Sequence, residues 1–306
     1  MAKTVLVTGA HGFVGRHVAR TVAKKGFHVI GLGHGDWKEA QWRQWGIAEW
    51  HGVDGCIESL RAYAGKPHTV IHCAGSGSVG HSVSHPYDDY RRTVATTAAL
   101  LEFLRLDAPD AAFVYPSSAA VYGCAGRLPI AESDPVAPVS PYGVYKQMAE
   151  ELCAAYGRHF GLKVAIVRLF SVYGNGLRKQ LLWEACNRIS AGGARFSGTG
   201  EELRDWLHVD DAVQLLASAV DHAKSSCAVF NGGTGIGTSV RQILEHVVSS
   251  LGVDMTLTFS GSGRQMDPIA YVADISRAQG IGWNPVKRWE DGVQAYVDWY
   301  CSGEAR

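Results

Sequence analysis

The sequence has few of the features that mark disulfide-rich, zinc-binding or nucleic-acid-binding proteins. Its 306 residues include seven cysteines, all standing singly, and no Cys-x-x-Cys pair. This argues against a disulfide framework or a zinc knuckle and fits a reducing compartment. Lysine plus arginine and aspartate plus glutamate both number 29. Without a basic excess, nothing indicates a nucleic-acid partner.

Long apolar segments are missing as well. No apolar run approaches the length that spans a membrane, so we expect no membrane partner. The first β-branched run begins at Thr4, which leaves no room for a signal peptide before it. We therefore expect a cytoplasmic protein. The length is sufficient for one large core, or for a core with a smaller lobe.

A glycine-rich turn opens the chain. Residues 4–8 form a short β-branched run, which predicts a buried parallel strand, and a helical pattern extends to Lys25. Between them, glycines recur at every third position, allowing a tight turn, a close approach of the backbone to a pyrophosphate, and a helix packed against the sheet. The helix N-terminus then offers free N–H groups and the positive end of its dipole. An ordinary strand–helix turn is the alternative. The predicted dinucleotide contacts are Gly9, Gly12, Phe13, Val14 and Gly15.

Strand and helix patterns alternate through the first half of the chain. The strands are predicted at 27–32, 69–73, 112–115 and 164–169, and the long helices at 87–106 and 142–160. This alternation predicts an α/β fold with a Rossmann-type doubly wound parallel sheet. After Gly174 the pattern loosens. We expect 1–174 to form the dinucleotide-binding domain, with parts of 205–235 returning to it. Residues 175–306 should form mostly a smaller mixed α/β substrate lobe.

Tyr142 and Lys146 stand four residues apart in one of the predicted helices. Side chains with this spacing lie on the same helix face. A buried ammonium beside a phenol lowers the phenol's pKa toward the working range of a general base. Alone the pair is a weak signal, because helix surfaces produce it by chance. The Tyr142–Lys146 pair becomes informative because the glycine turn and the Ser-Ser-Ala-Ala-Val-Tyr-Gly segment both precede it in the chain.

Seven segments carry a resemblance to a known family. They are Gly9-x-x-Gly12-x-x-Gly15, Val70-Ile-His-Cys-Ala-Gly75, Ser117-Ser118, Val121-Tyr-Gly123, Tyr142-x-x-x-Lys146, Arg168-Leu-Phe-Ser-Val-Tyr-Gly174 and Arg204-Asp-Trp-Leu-His-Val-Asp-Asp211. Together they resemble the extended short-chain dehydrogenase/reductases, the NAD(P)-dependent nucleotide-sugar epimerase/dehydratase family. The resemblance covers nearly the whole chain. It is specific for the family and much less specific for the substrate.

The resemblance implies roles for the catalytic residues. Ser118 would hydrogen-bond the reacting oxygen, and Tyr142 would remove or return the proton on that oxygen. Lys146 would hold the nicotinamide ribose and lower the pKa of Tyr142. Hydride would pass directly between the sugar carbon and the nicotinamide. Ala74 and Gly75, in the Val-Ile-His-Cys-Ala-Gly segment, would line the cofactor.

Two missing features narrow the implied reaction. Sugar-nucleotide 4,6-dehydratases carry an acid pair where this chain has Ala119 and Ala120, so dehydration is disfavoured. The Cys and His that GDP-fucose-forming epimerase-reductases use have no match here. What remains is redox at C4 of a nucleotide-activated sugar, which favours a 4-epimerase. An NADPH-dependent reductase of 4-keto-sugars is the alternative. A non-catalytic NAD(P)-binding regulator is a minor one, since such proteins generally lose the tyrosine or the lysine.

The segment after the second strand bears on the choice of cofactor. By the family's register, the acid that binds the ribose of NAD falls at Gly33. Without that acid a 2′-phosphate is not repelled, and His34, Lys38 or Arg43 could neutralise it. We therefore expect NADP or NAD, with a slight lean to NADP. An acid reaching back from the same loop is the alternative. Asp54 is the candidate for the adenine amino group.

The resemblance also predicts the residues that bind a nucleotide-diphosphate sugar. His81 and Ser82 would contact the sugar from a glycine- and serine-rich stretch, 76–86, that we expect to be a loop. Two arginines would grip the diphosphate, and one acid would accept the nucleoside ribose hydroxyls. The remaining candidates are Ser171, Arg178, Arg204, Arg264 and Asp267.

No metal site is expected, and a homodimer is. His81 and His85 have a spacing compatible with a metal on a helix, but no convergent acid or cysteine accompanies them. The predicted helices at 87–106 and 142–160 are the pair that family members bury against a twofold mate. Such isologous interfaces are the commonest soluble assembly.

Overall fold

The computed structural model describes residues 3–261 and 269–303. Twelve strands lie in this part of the chain: β1 (Thr4–Thr8), β2 (His28–Gly33), β3 (Glu49–Gly52), β4 (Thr69–His72), β5 (Ala112–Ser118), β6 (Lys163–Leu169), β7 (Ser171–Tyr173), β8 (Arg195–Phe196), β9 (Leu203–His208), β10 (Ala228–Gly232), β11 (Gly237–Ser239) and β12 (Thr258–Phe259). The helices are α1 (Phe13–Lys24), α2 (Glu39–Gln44), α3 (Ile57–Tyr63), α4 (Val79–Ser84), α5 (Pro86–Tyr90), α6 (Thr96–Asp107), α7 (Pro141–Phe160), α8 (Gln180–Ser190), α9 (Val209–Ala219), α10 (Val240–Ser250), α11 (Ser276–Gly280) and α12 (Trp289–Cys301).

Seven of these strands form the central sheet, in the spatial order β10-β6-β5-β4-β1-β2-β3. All the pairings in it are parallel. The chain runs from β1 outward to β3 and then returns to β4 on the other side of β1. The carboxyl ends of β1 and β4 therefore mark a switch point, where open α/β sheets bind their ligands. The predicted Rossmann-type fold class is confirmed.

Apolar side chains cover both faces of this sheet. On one face the buried residues of α1 and α9 pack against the strands, among them Val18, Leu215 and Leu216. On the other face Leu100, Leu101 and the neighbouring residues of α6 pack with α7. Each fully buried side chain of this kind contributes about 1.5–3 kcal/mol. Because both faces are covered, the strands read as near-continuous apolar runs, which is what the sequence shows.

A smaller lobe follows the sixth strand of the central sheet. It contains a three-stranded sheet, β11-β9-β7, a two-stranded pair, β12-β8, and the helices α8, α10 and α12. Its core includes Tyr173, Leu182, Ile243 and Tyr296. Phe13 packs against this core and against the core of the central sheet, so the start of α1 lies between the two. None of the helices in the described residues combines the length and the apolarity of a membrane span.

Two predicted elements differ from the structure. The stretch expected to be a loop contains α4, which Ser78 caps by accepting a hydrogen bond from the backbone N–H of His81 at 3.2 Å. The predicted helix at 87–106 is α5 and α6 joined by a π-helical segment, Arg91–Ala95. Local composition favoured a loop in the first case. Capping by Ser78 and packing against α7 outweigh it.

Candidate active site

The glycine turn after β1 forms a cradle at the switch point. Gly9 has a φ of +65°, and a β-carbon on it would lie 2.6 Å from the backbone of Cys73. A β-carbon on Gly15 would collide with the carbonyl oxygen of Gly9. Gly12 precedes α1, and the first N–H groups of that helix, beginning at Phe13 and Val14, have no acceptors within it. Close backbone and free N–H groups at a helix N-terminus fit a pyrophosphate.

The turn after β4 links this cradle to the catalytic helix. The backbone N–H of Ala74 donates to Thr8 at 3.4 Å. A β-carbon on Gly75 would lie 3.6 Å from the hydroxyl of Thr93 and 3.9 Å from Nζ of Lys146. Ala74 therefore lies beside the glycine turn and Gly75 beside the ammonium group. Their contact with a cofactor stays a prediction.

Ser118, Tyr142 and Lys146 meet at the carboxyl end of β5. Ser118 is the last residue of that strand, and its hydroxyl is near enough to the phenol of Tyr142 to lower the pKa of that phenol. Ser140 caps α7 by accepting from the backbone N–H of Gly143 at 3.2 Å, which places Tyr142 in the first turn. The ammonium of Lys146 donates to the carbonyl of Pro116 at 3.0 Å and lies 6.0 Å from the centre of the Tyr142 ring. This brings all three predicted catalytic residues into one cluster.

The pKa of Tyr142 in this cluster differs from the one expected from the sequence. Burial raises the pKa of Tyr142, the hydrogen bond from Ser118 lowers it, and the charge of Asp89 raises it further. The net pKa lies above the usual value of a phenol, where a lowered one was expected. The reason is that burial has the largest influence and Lys146, whose Nζ donates to a backbone carbonyl, does not offset it. Burial lowers the pKa of Lys146 to about 8.

Ala119 and Ala120 follow Ser118 in a short 3₁₀ helix, Ala119–Tyr122. The backbone N–H of Ala120 donates to the Ser118 hydroxyl at 3.2 Å, which holds that hydroxyl at the strand end. Neither alanine offers a carboxylate. The position where a dehydratase would need an acid pair is therefore occupied by methyl groups.

The expected adenosine end of the cofactor site lies at the carboxyl end of β2. A β-carbon on Gly33 would lie 3.1 Å from the Trp50 ring, so the indole fills the space where an acidic side chain would start. The imidazole of His34 contacts the carboxylate of Asp54 at 3.0 Å. Arg43 pairs with a glutamate of its own helix at 2.6 Å. Two of the three residues that were expected to meet a 2′-phosphate, His34 and Arg43, are therefore already in contact with carboxylates.

Two predicted sugar contacts are engaged within the protein. His81 contacts Asp88 at 3.0 Å. Ser82 is fully buried, donates to the carbonyl of Val79 at 2.7 Å, and accepts from the backbone N–H of Tyr142 at 3.0 Å. Ser82 therefore lies behind the cleft, contrary to the prediction, because α4 turns its hydroxyl toward α7. It fixes the position of Tyr142 and does not face a sugar.

The other substrate candidates are spread around the same edge. Ser171 begins β7, two residues after the end of β6. Arg178 is near enough to Arg16 of α1 that it adds to the burial effect in lowering the pKa of that arginine. Arg204 donates to the carbonyls of Leu203 and Ile269, at 2.8 Å and 3.3 Å. The remaining two candidates, Arg264 and Asp267, lie outside the described residues.

Sequence reasoning missed two charged residues near this cluster. Asp89, on α5, is fully buried. Lys179 extends to the turn after β4, where a β-carbon on Gly77 would lie 3.4 Å from its Nζ. No motif marks either residue. Asp89 could have been noticed from its position four residues before Thr93 in a helical pattern, because this spacing puts both residues on one helix face.

Comparisons with known proteins identify the family. The model of the NAD dependent epimerase/dehydratase family matches residues 5–233. A UDP-glucose 4-epimerase of Lactobacillus helveticus is 30% identical, over 95% of this chain and 94% of its own. The solved structure of a UDP-glucose 4-epimerase of Thermotoga maritima with UDP-glucose is 26% identical, with a TM-score of 0.88 over 98% of this chain and 99% of that one. MoeE5, solved with UDP-glucuronic acid and NAD, is 27% identical, with a TM-score of 0.86 over 98% and 99%. These matches confirm the predicted resemblance and agree with a nucleotide-sugar 4-epimerase as the main interpretation: the chain is an enzyme that belongs to the NAD dependent epimerase/dehydratase family.

Proposed function

We propose that this enzyme interconverts the C4 epimers of a UDP-activated hexose or hexuronic acid, with NAD as its cofactor. The observation that carries the proposal is the cluster at the end of β5, where Ser118 influences the phenol of Tyr142 beside the ammonium of Lys146. This cluster adjoins the phosphate cradle through Gly75. The names of the relatives support the choice of reaction and of nucleotide.

The chain's own residues account for the proton transfers. When bound, the nicotinamide ring supplies the acceptor and the donor of hydride. Tyr142 takes the proton from the C4 hydroxyl as that carbon is oxidised, and Ser118 holds the oxygen. After the keto-sugar has turned in the cleft, Tyr142 returns the proton to the same oxygen. The ammonium of Lys146, 6.0 Å from the phenol ring, favours the tyrosinate during this exchange.

The alternatives within the family are less well supported. A dehydratase needs acids where Ala119 and Ala120 stand. A 4-keto-sugar reductase would take NADPH from solution, and its support in the sequence was the missing acid at Gly33. That support weakens because His34 and Arg43 are paired with carboxylates. The carboxylate of Asp54 adds a negative charge at the same end of the cleft. We therefore infer NAD and not NADP.

Lys179 supports a hexuronic acid as one of the substrates. Its ammonium lies beside Gly77, and the neighbouring Gln180 donates to the Gly77 carbonyl at 3.4 Å. Desolvation by the surrounding protein lowers the pKa of Lys179, and no ion pair within the described residues holds it. Gln180 has a φ of +67°, a strained conformation for a side-chain-bearing residue. A carboxylate at C6 of the sugar would supply the missing counter-charge.

A product screen tests the proposed reaction. The purified enzyme is incubated, without added cofactor, with UDP-glucose and UDP-glucuronic acid in separate reactions, and the products are identified by NMR. Formation of the corresponding C4 epimers supports the proposal. Activity confined to a 4-keto-sugar, with the nicotinamide absorbance falling in proportion to product, would establish the reductase instead.

We further propose that the enzyme is a homodimer. Apolar side chains are exposed along α4, α5 and α7, with exposed fractions of 48% for Val83, 74% for Tyr87, 39% for Val144 and 38% for Met148. A contiguous apolar surface of this kind marks an interaction site. A second copy of the chain, related by a twofold axis, fits it because the expected interface also includes α5 and α7.

A further inference from the structure

Asp89 is a buried acid for which the fold offers no hydrogen bond. It lies on α5 and is 0% exposed. Neither carboxylate oxygen has a hydrogen-bond partner among the described residues. A buried carboxylate without a partner is costly, so such a group in a native protein calls for an explanation. Hydrophobic packing does not provide one, because an uncharged side chain would fill the same space without that cost.

The location of Asp89 provides the explanation. On α5 its neighbour Tyr90 packs edge-on against Tyr145 of α7, with ring centres 5.9 Å apart. Asp89 also precedes Thr93 by four residues and so shares its helix face. That face points toward the catalytic cluster, since the Thr93 hydroxyl and Nζ of Lys146 flank the same glycine. The charge of Asp89 reaches both catalytic side chains.

We propose that Asp89 is a positioning residue of the reaction, whose carboxylate balances the ammonium of Lys146 and sets the charge state in which Tyr142 exchanges its proton with the substrate. The proposal rests on the proposed roles of Tyr142 and Lys146. It assigns to Asp89 an action through these two side chains and no contact with the substrate.

Other titratable groups face the cluster from each neighbouring element. They are His72 and Cys73 from β4 and the turn after it, Tyr115 from β5, and Glu150 and Cys153 from α7. Burial lowers the pKa of His72 to about 3 and raises that of Cys73 to about 12, so both are neutral near pH 7. Burial likewise keeps the Tyr115 phenol and the Cys153 thiol neutral, because it raises the pKa of each. Glu150 is neutralised by Arg168 at 2.7 Å. Among these groups, Asp89 is the acid that has no hydrogen-bond or ion-pair partner in the described residues.

Replacing the carboxylate of Asp89 should change the pKa values of both catalytic side chains in the same direction. Asp89 raises the pKa of Tyr142 and of Lys146, so the substitution Asp89→Asn lowers both. The titration midpoints of Tyr142 and of Lys146 then both move to lower pH. We expect the phenol midpoint to move by about one pH unit. A residue with only a structural role would lower the activity and leave both midpoints in place.

The test titrates the phenol directly in the protein without substrate. Tyrosinate absorbance is followed against pH in wild type and in Asp89→Asn, and the matching titration with Tyr142→Phe is subtracted from each. The expected result is a midpoint for Tyr142 that is lower in Asp89→Asn. Asp88→Asn, a change at the neighbouring acid that pairs with His81, is the control and should leave the midpoint unchanged. An unchanged midpoint in Asp89→Asn overturns the proposal.

Two further points keep the test decisive. If Asp89→Asn does not fold, Asp89→Ser removes the same charge with a smaller side chain and permits the same comparison. The phenol titration needs no sugar, so it separates this proposal from the proposed function. A shifted midpoint in a protein without 4-epimerase activity contradicts the function alone, whereas an active enzyme with an unmoved midpoint contradicts the role of Asp89.

Discussion

The ion pair between Glu150 and Arg168 provides a sharp prediction of stability. Both residues are nearly fully buried, with exposed fractions of 7% and 6%. The guanidinium donates to the carboxylate at 2.7 Å and 3.1 Å, and also to the hydroxyl of Tyr122 at 3.0 Å. Burial disfavours the charge of Arg168, but the hydrogen bonds and charge of Glu150 outweigh it, so the pKa of Arg168 lies above its usual value. The pair joins α7, one turn after Lys146, to β6.

The substitution Glu150→Gln leaves this guanidinium buried without its counter-charge. Breaking a buried pair by removing one partner costs about 3–5 kcal/mol. Glutamine keeps one acceptor oxygen for the guanidinium, so we expect the lower end, about 3 kcal/mol, which is on the order of a hundredfold in the unfolding equilibrium. Activity should fall as well, since α7 carries Tyr142 and Lys146.

Urea unfolding followed by fluorescence and circular dichroism measures this change. The matched control is Glu151→Gln, because Glu151 is the adjacent residue on α7 and is exposed. Within the described residues its side chain accepts only from Gln147, at 2.9 Å. The control should change the free energy of unfolding by less than about 0.5 kcal/mol. A loss below about 1 kcal/mol in Glu150→Gln, with normal activity, would show that the pair does not hold α7 in place.

Four further predictions follow from the site and the surface. Tyr142→Phe should lower turnover at least about a hundredfold and leave the affinity for NAD nearly unchanged, because it removes only the proton-transfer group; near-normal turnover would refute the assignment. Calorimetry should show NAD binding more tightly than NADP, and tighter binding of NADP by about tenfold (a difference of about 1.4 kcal/mol) would contradict the inference from Asp54. Lys179→Gln should raise KM for UDP-glucuronic acid at least about tenfold and change KM for UDP-glucose much less; equal effects on both would exclude a carboxylate contact. Met148→Glu should give the mass of one chain in light scattering where wild type gives two, and a dimeric variant would place the interface elsewhere.

The sequence was sufficient to predict the parts of the site that depend on strand ends. Parallel strands finish at one edge of a sheet, so a glycine turn after β1, a serine at the end of β5 and a tyrosine in the next helix had to meet there. The structure brings Ser118 near enough to Tyr142 at that edge to influence the pKa of its phenol. These predictions needed only the order of the elements and the register of each motif.

The errors concern residues whose surroundings come from distant elements. Ser82 looked like a loop hydroxyl because its segment is rich in glycine and serine, but α4 packs on α7 and uses that hydroxyl to hold Tyr142. The pKa of Tyr142 is raised, because burial sums contributions from several elements that no local motif shows. Asp89 escaped attention for the same reason, since its burial becomes visible only once α5 is placed against α7.

Epimerisation in deuterated water tests the central claim most directly. If the hydride leaves C4 and returns to it within the active site while Tyr142 handles only the hydroxyl proton, the carbon-bound hydrogen never exchanges with solvent. NMR of the product formed from UDP-glucose or UDP-glucuronic acid should then show the C4 epimer with protium fully retained at C4, and no net consumption of NAD. Deuterium at C4, or epimer formation at an unchanged rate in Tyr142→Phe, would contradict the account.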